Sequence, residues 1–152
     1  MLTLGEIVRL ASKVADPAAW DYLIGGSETE TTLRRNRRAL DELAFRPRIL
    51  RNVSTIDTSH EVLGIAMRLP LFLAPMGSIK NLDKSGAVAT ALAAKEFGIV
   101  AFLSSSCHPG MKTTMHDGGG DLIFQLYVRG DENWVMEQLA EATDLGYKAF
   151  CL

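Results

Sequence analysis

Apolar positions follow a helical spacing in the first forty or so residues of this chain and gather into short continuous runs after Leu69. Thr3 and Glu6 have the capping-box spacing, which predicts a first helix through about Val14. Asp16-Pro17 restarts the chain, with Asp as the cap and Pro at the first helical position. The short helix "PAAWDYLI" follows and ends at Gly25-Gly26. Ser27 and Glu30 repeat the capping spacing. A third helix is expected through about Glu42, with Leu33, Leu40 and Leu43 available for an inward face. From Phe45 to Leu69, "FRPRIL" and "HEVLGIAM" are short β-like runs broken by polar residues, so extended segments and a small hairpin are predicted.

Beyond Leu69, apolar runs of about six residues alternate with helical stretches of about fourteen. "PLFLAP", "IVAFLSS", "LIFQLYV" and "YKAFCL" read as strands. "SGAVATALAAKEFG" reads as an alanine-rich helix closed by Gly98, and "ENWVMEQLAEATDL" as a helix capped by Asp131 and ended by Gly146. The linker "SCHPGMKTTMHDGGG" is too broken for a long helix, although "TTMH" has room for a turn or two. Continuous apolar strands joined by helices are buried on both faces, the signature of a parallel βα sheet or barrel. The expected organisation is a helical segment with a small β extension over residues 1–69, followed by βα units over residues 70–152.

Composition narrows the function classes. The 152 residues are 47% hydrophobic and 22% charged, enough for one globular domain with a core. Sixteen Lys and Arg against eighteen Asp and Glu give a net charge of −2, so charge alone draws the chain to neither nucleic acid nor an acidic membrane. The "RRNRR" cluster at Arg34–Arg38 reads as the solvated face of a helix. Cys107 and Cys151 lack CxxC spacing, which points to a reducing compartment and no metal framework. No segment approaches the roughly 20 apolar residues of a membrane span, and "MLTLGEIVRL" lacks the form of a signal peptide. A cytoplasmic location is expected.

In parallel βα folds the reactive groups lie at the C-terminal ends of the strands. Those ends carry Ala74-Pro75-Met76-Gly77, then Ser104-Ser105-Ser106, then Gln125 and Tyr127, which two-residue spacing puts on the same side of a strand. A buried Gln amide is costly unless hydrogen-bonded, so Gln125 must meet a backbone group or a ligand, and both readings stay open. Tyr22 is likewise a helix-packing tyrosine or a functional hydroxyl. The three serines have no evident base beside them, and His60, His108 and His116 fit no motif. Cys107 and His108 are adjacent, and adjacent side chains point apart, which argues against a thiolate pair.

Several segments in order resemble one family. "WDYLIGGSETETTLRRNRRAL" is similar to a DY-x-x-x-G segment followed by T-L-x-x-N, and "FRPRIL" to R-P-R-x-L. "PLFLAPMG", "FLSSSC" and "FQLYV" are similar to strands ending A-P-x-A/G, L-S-S and F-Q-L-Y. Together they resemble the FMN-dependent 2-hydroxy acid oxidases and dehydrogenases, a family that includes glycolate oxidase, lactate oxidase and mandelate dehydrogenase. The resemblance implies an α/β TIM (β/α)8 barrel, here incomplete, with the N-terminal helical segment and the first four β strands present. It implies FMN as cofactor, with Pro75, Met76 and Gly77 in the loop bordering the flavin and one amide near the N5 edge. Ser104 and Gln125 would hydrogen-bond the polar edge of the ring. Tyr22 and Tyr127 would aim hydroxyls at the substrate, Tyr22 towards its carboxylate. No metal is implied.

The implied reaction takes an (S)-2-hydroxy acid to a 2-oxo acid, with the flavin reoxidised by oxygen, a quinone or a cytochrome. A homo-oligomer is implied at full length. The family's histidine base, carboxylate-binding arginines and flavin-facing lysine follow the fourth strand, where this sequence has no counterpart. An N-terminal portion, inactive alone, is therefore expected. Two departures bear on specificity. Asp83-Lys84-Ser85-Gly86-Ala87 replaces a His-x-x-Gly-Glu segment, and Ser106 stands where some members carry a larger, often aromatic residue. Two alternatives come from other classes. One is a non-catalytic half-barrel that assembles with itself or with a second half-chain. The other is a different FMN barrel such as an isopentenyl diphosphate isomerase, which should lack the Tyr22 segment and its R-P-R continuation.

Overall fold

The computed structural model describes residues 3–152, which fall into two compact units, residues 3–56 and 57–152. The first unit holds three helices whose ends follow local chemistry. Helix α1 (Leu4–Val14) opens on the expected capping box: the Glu6 amide donates to Thr3 Oγ1 (3.2 Å) and the Thr3 amide donates to Glu6 Oε2 (2.7 Å). Those bonds from Thr3 hold the Glu6 carboxyl below its ordinary range. Helix α2 (Pro17–Ile24) opens on Asp16, whose Oδ1 accepts from the amides of Ala18 and Ala19.

Helix α3 (Thr31–Asp41) corrects one expectation, because Ser27 does not cap it. Glu30 occupies the cap position in a left-handed conformation, φ 55°, and its carboxylate turns back to accept from the Gly26 amide at 3.1 Å. The Ser27 carbonyl accepts from the Glu30 amide, so the two residues close a turn ahead of the helix and do not start its first coil. The arginine cluster lies on a solvated face, as expected, with Arg37 paired to Asp41 and Arg38 to Glu42 one helical turn on. Leu33, Leu40 and Leu43 are exposed, and no residue of α1, α2 or α3 is buried.

The second unit begins with a hairpin, β1 (His60–Val62) against β2 (Ile65–Met67), antiparallel about Leu63-Gly64. Both turn residues have positive φ (54° and 72°), the conformation that a two-residue hairpin turn favours. Ile65 and Met67 are buried in this unit's core, so the hairpin packs with the βα part.

The parallel sheet then runs β3 (Phe72–Leu73), β4 (Val100–Ser104), β5 (Leu122–Gln125) and β6 (Ala149–Cys151), and its spatial order equals its chain order. Phe72 lies opposite Val100, Ser104 opposite Gln125, and Gln125 opposite Cys151. This is the α/β arrangement that the apolar runs predict. Between strands come a 3-10 turn (Ile79–Asn81) and α4 (Ala87–Phe97), then α5 (Met111–Thr113) continuing into a π turn (Thr114–Gly118), then α6 (Glu132–Asp144).

Alanines make the inner face of α4. Ala87, Ala91 and Ala94 are buried, and Gly118 approaches so closely that a Cβ there would sit 2.6 Å from the Ala91 Cβ. Gly86 is required more strictly: at φ 55° it lies under the His108 carbonyl, which a Cβ would meet at 2.0 Å. Leu122, Ile123 and Phe124 form the centre of the core, with Phe124 meeting Tyr147 edge to face and Phe150 at a tilt, at 5.8 and 5.9 Å between ring centroids. No helix among the described residues is long and apolar enough to cross a membrane.

Candidate functional site

Three loops leave the sheet at the C-terminal ends of β3, β4 and β5, and hydrogen bonds tie them together. Ser105 donates its amide to the Gln125 carbonyl at 2.8 Å, and its hydroxyl accepts from the Tyr127 amide at 3.0 Å. That second bond explains why β5 is shorter than the run "LIFQLYV". The Leu126 amide still reaches the Cys151 carbonyl, whereas the Tyr127 amide turns to a side chain and the ladder ends. Gln125 and Tyr127 therefore do not share a strand face as two-residue spacing implies. Tyr127 lies in the loop, 58% exposed.

Ser104 and Gln125 are brought together as register partners at the end of the sheet, and both are buried, at 3% and 7% exposure. The Ser104 hydroxyl accepts from the Ser106 amide (3.1 Å), which leaves its own proton to donate. Gln125 Oε1 is buried and has no hydrogen-bond partner among the described residues. A buried amide oxygen left unpaired is destabilising by about 1–3 kcal/mol, so Gln125 Oε1 is open to a partner that the described residues do not supply.

On the neighbouring loop, Pro75 and Met76 are exposed and Gly77 faces Ser106, close enough that a Cβ on Gly77 would lie 3.4 Å from the Ser106 Cβ. Ser78, in a left-handed conformation, donates its amide to the Ser106 carbonyl. Pro75, Met76, Gly77, Ser104, Gln125 and Tyr127 thus all belong to one end of one sheet. Tyr22 belongs to the first unit, on α2, where it is 68% exposed.

Cys107 is buried, and its thiol donates to the Ser104 carbonyl at 2.9 Å. Burial pushes that thiol up to about 11, so it is not a nucleophile at neutral pH, and exposed His108 does not activate it. The residue that sequence reasoning missed is Arg129. Its Nη2 donates to the Ser106 hydroxyl at 2.8 Å across 23 residues of chain. The available signal was positional: a lone cation two residues past Tyr127 and just before the Gly130-Asp131 helix start.

The strand ends of this parallel sheet collect backbone amides, hydroxyls and an unpartnered buried glutamine oxygen, a donor and acceptor set suited to a polar, uncharged group. Comparison with family models matches residues 11–152 to the FMN-dependent dehydrogenases, and the chain belongs to that family. Glycolate oxidase 3 of Arabidopsis thaliana is 36% identical over 147 residues, covering 97% of this chain and 40% of that relative. The glycolate oxidase of Spinacia oleracea is 34% identical over 149 residues, covering 98% and 40%.

Among solved structures, a mandelate oxidase superposes with a TM-score of 0.91 at 30% identity, covering 97% of this chain and 44% of that one. A soluble mutant of the membrane-associated (S)-mandelate dehydrogenase of Pseudomonas putida superposes with a TM-score of 0.87 at 32% identity, covering 94% and 41%. The chain spans about two fifths of the length of the curated relatives it matches.

Proposed function

We propose that the strand ends of the second unit hold part of an FMN site, and that the protein takes part in the oxidation of an (S)-2-hydroxy acid to a 2-oxo acid. The observation that carries this reading is Gln125 Oε1, buried and unpartnered beside the Ser104 hydroxyl at the end of β5. An isoalloxazine edge offers both N–H donors and carbonyl acceptors, so an amide and a hydroxyl side by side match it without a charged group. When bound, the flavin supplies the two-electron redox chemistry, and the chain's own contribution is binding, orientation and electrostatics.

Gly77 and the Pro75-Met76 backbone border the ring in this reading. Tyr127, with its backbone fixed by Ser105, presents its hydroxyl to the substrate. Tyr22 is assigned to the substrate carboxylate by the family resemblance, and Tyr22→Phe tests that role separately through a raised KM. The barrel is the first part of a (β/α)8 fold in this reading. The base and the carboxylate-binding arginines belong to segments outside these 152 residues, and these residues alone do not turn over substrate. The electron acceptor is oxygen, a quinone or a cytochrome, the assembled state is a homo-oligomer, and the setting is a reducing cell interior, in keeping with two free cysteines.

The test is an FMN titration of the full-length protein carrying this sequence, followed by anaerobic addition of 2-hydroxy acids. Gln125→Leu is expected to weaken FMN binding by about tenfold or more, since it removes a buried hydrogen bond to the ring. Equal affinity in wild type and Gln125→Leu, or a flavin that no 2-hydroxy acid bleaches, would count against the reading.

A further inference from the structure

Ser106 is where the three loops meet. Its carbonyl accepts from Ser78, its Cβ faces Gly77, and its hydroxyl accepts from Arg129. The arginine's position is set from both sides. Tyr127, two residues before it, is tied to Ser105 through its amide. Gly130, just after it, is covered by Trp134, whose ring and Cβ atoms would lie 2.6–2.8 Å from any Cβ placed there. Asp131 then caps α6 by accepting from the Trp134 amide at 2.9 Å. The loop is thus held at each end, and the guanidinium is aimed back across it.

A guanidinium has five N–H donors. Arg129 spends one of them on a neutral hydroxyl, and among the described residues no carboxylate lies within ion-pair distance of it. An oriented cation with free donors, at the rim of a site whose other groups are neutral, is matched by an anion. Its planar fork is matched best by two oxygens on one centre.

We propose that Arg129, oriented by Ser106, is a specificity determinant for the substrate's substituent and selects a 2-hydroxy acid that carries a second carboxylate. This rests on the 2-hydroxy acid reading above. Ser106 adds only a small side chain next to Gly77, and the remaining N–H donors of Arg129 receive the substituent's carboxylate. Charge-assisted hydrogen bonds of this kind are worth about tenfold to a hundredfold in affinity.

The test uses the full-length FMN-loaded protein and two non-oxidisable ligands of equal carbon count, succinate and butyrate, whose affinities are measured by calorimetry. Succinate is expected to bind at least about tenfold more tightly, and Arg129→Gln to abolish that preference while Arg129→Lys keeps part of it. Equal binding of the two ligands by wild type, or a preference that survives Arg129→Gln, overturns the proposal. Should Arg129→Gln lose its flavin, Ser106→Ala decides: the preference must fall severalfold when the guanidinium loses its anchor, and an unchanged preference overturns the assignment. In parallel, flavin bleaching compares (S)-2-hydroxysuccinate with (S)-2-hydroxybutyrate. Bleaching by neither these nor any other 2-hydroxy acid defeats the oxidation reading, whereas bleaching with no charge preference defeats only the role of Arg129.

Discussion

The two units obey the same local rules and differ in what those rules are anchored to. In the first, helices α1 and α2 begin at well-formed side-chain caps, yet no residue of its three helices is buried, and Phe45, Leu50 and Val14 stand in solvent. In the second, strands β4 and β5 are almost wholly buried, and an alanine face of α4 packs against a glycine of the π turn. Caps and propensities fix where a helix starts and stops. Burial of an apolar face provides most of what keeps a short helix formed in water.

The largest expected effect follows from that difference. Phe124 is 2% exposed at the centre of the second unit and touches Tyr147 and Phe150, so Phe124→Ala should cost about 3–5 kcal/mol. Leu40→Ala, on the exposed side of α3, should cost about 0.5 kcal/mol or less. Urea unfolding of this chain, followed by hydrogen exchange resolved by segment, checks both. Slow exchange in α1 to α3 matching that of β4 and β5 would break the comparison outright.

A smaller effect is confined to the second unit and depends on pH. Burial raises the Cys107 thiol to about 11 from its ordinary value of 9.0, and burial also raises Tyr147 above the usual tyrosine range. Both groups are neutral when protonated, and their folded pKa lies above the unfolded one. Their contribution to stability is therefore complete below about pH 9 and is lost as pH rises, for Cys107 between about 9 and 11. For the thiol that loss is about 2–3 kcal/mol. Denaturation midpoints taken from pH 8 to 11 should fall less in Cys107→Ala than in wild type. A parallel decline in the two proteins would show that the thiol is not the titrating group.

The same contrast separates what could be read in the sequence from what could not. The ends of α1, α2, α4 and α6 were legible because each rests on a neighbour-range signal: Thr3 with Glu6, Asp16 before Pro17, Gly98 in a left-handed cap, and Asp131 three residues ahead of Trp134. The four parallel strands were legible as apolar runs, and the serine, glutamine and glycine positions followed from the strand-end rule. Ser27 was misread because a capping spacing is also a turn spacing, and only the left-handed Glu30 tells them apart. The end of β5 was misread because the Tyr127 amide is claimed by a serine 22 residues away. Arg129 was missed for the same reason, since its partner Ser106 is 23 residues back and no periodicity links them.

The smallest effect is also the sharpest comparison, because it makes one chemical change in both units. Asp16 and Asp131 each cap a helix by accepting amide hydrogens at about 3 Å, and each cap is worth about 1 kcal/mol of helix stability. Helix α6 carries a buried Ala142, and its Trp134 and Val135 pack on the core. Melting its first turn therefore uncovers apolar surface, and Asp131→Ala should lower the global unfolding free energy by close to the full 1 kcal/mol. No residue of helix α2 is fully buried, and only Ala19 and Trp20 are partly covered. Asp16→Ala should therefore leave the global midpoint in place and appear only as lost helical signal and faster exchange over residues 17–24. Asn in place of Asp16 or Asp131 should keep the cap in both units, since Asn accepts the same bonds without the charge. An equal shift of the global midpoint by both alanine variants would mean that α2 unfolds together with the sheet, and the first unit would then owe its helices to more than their caps.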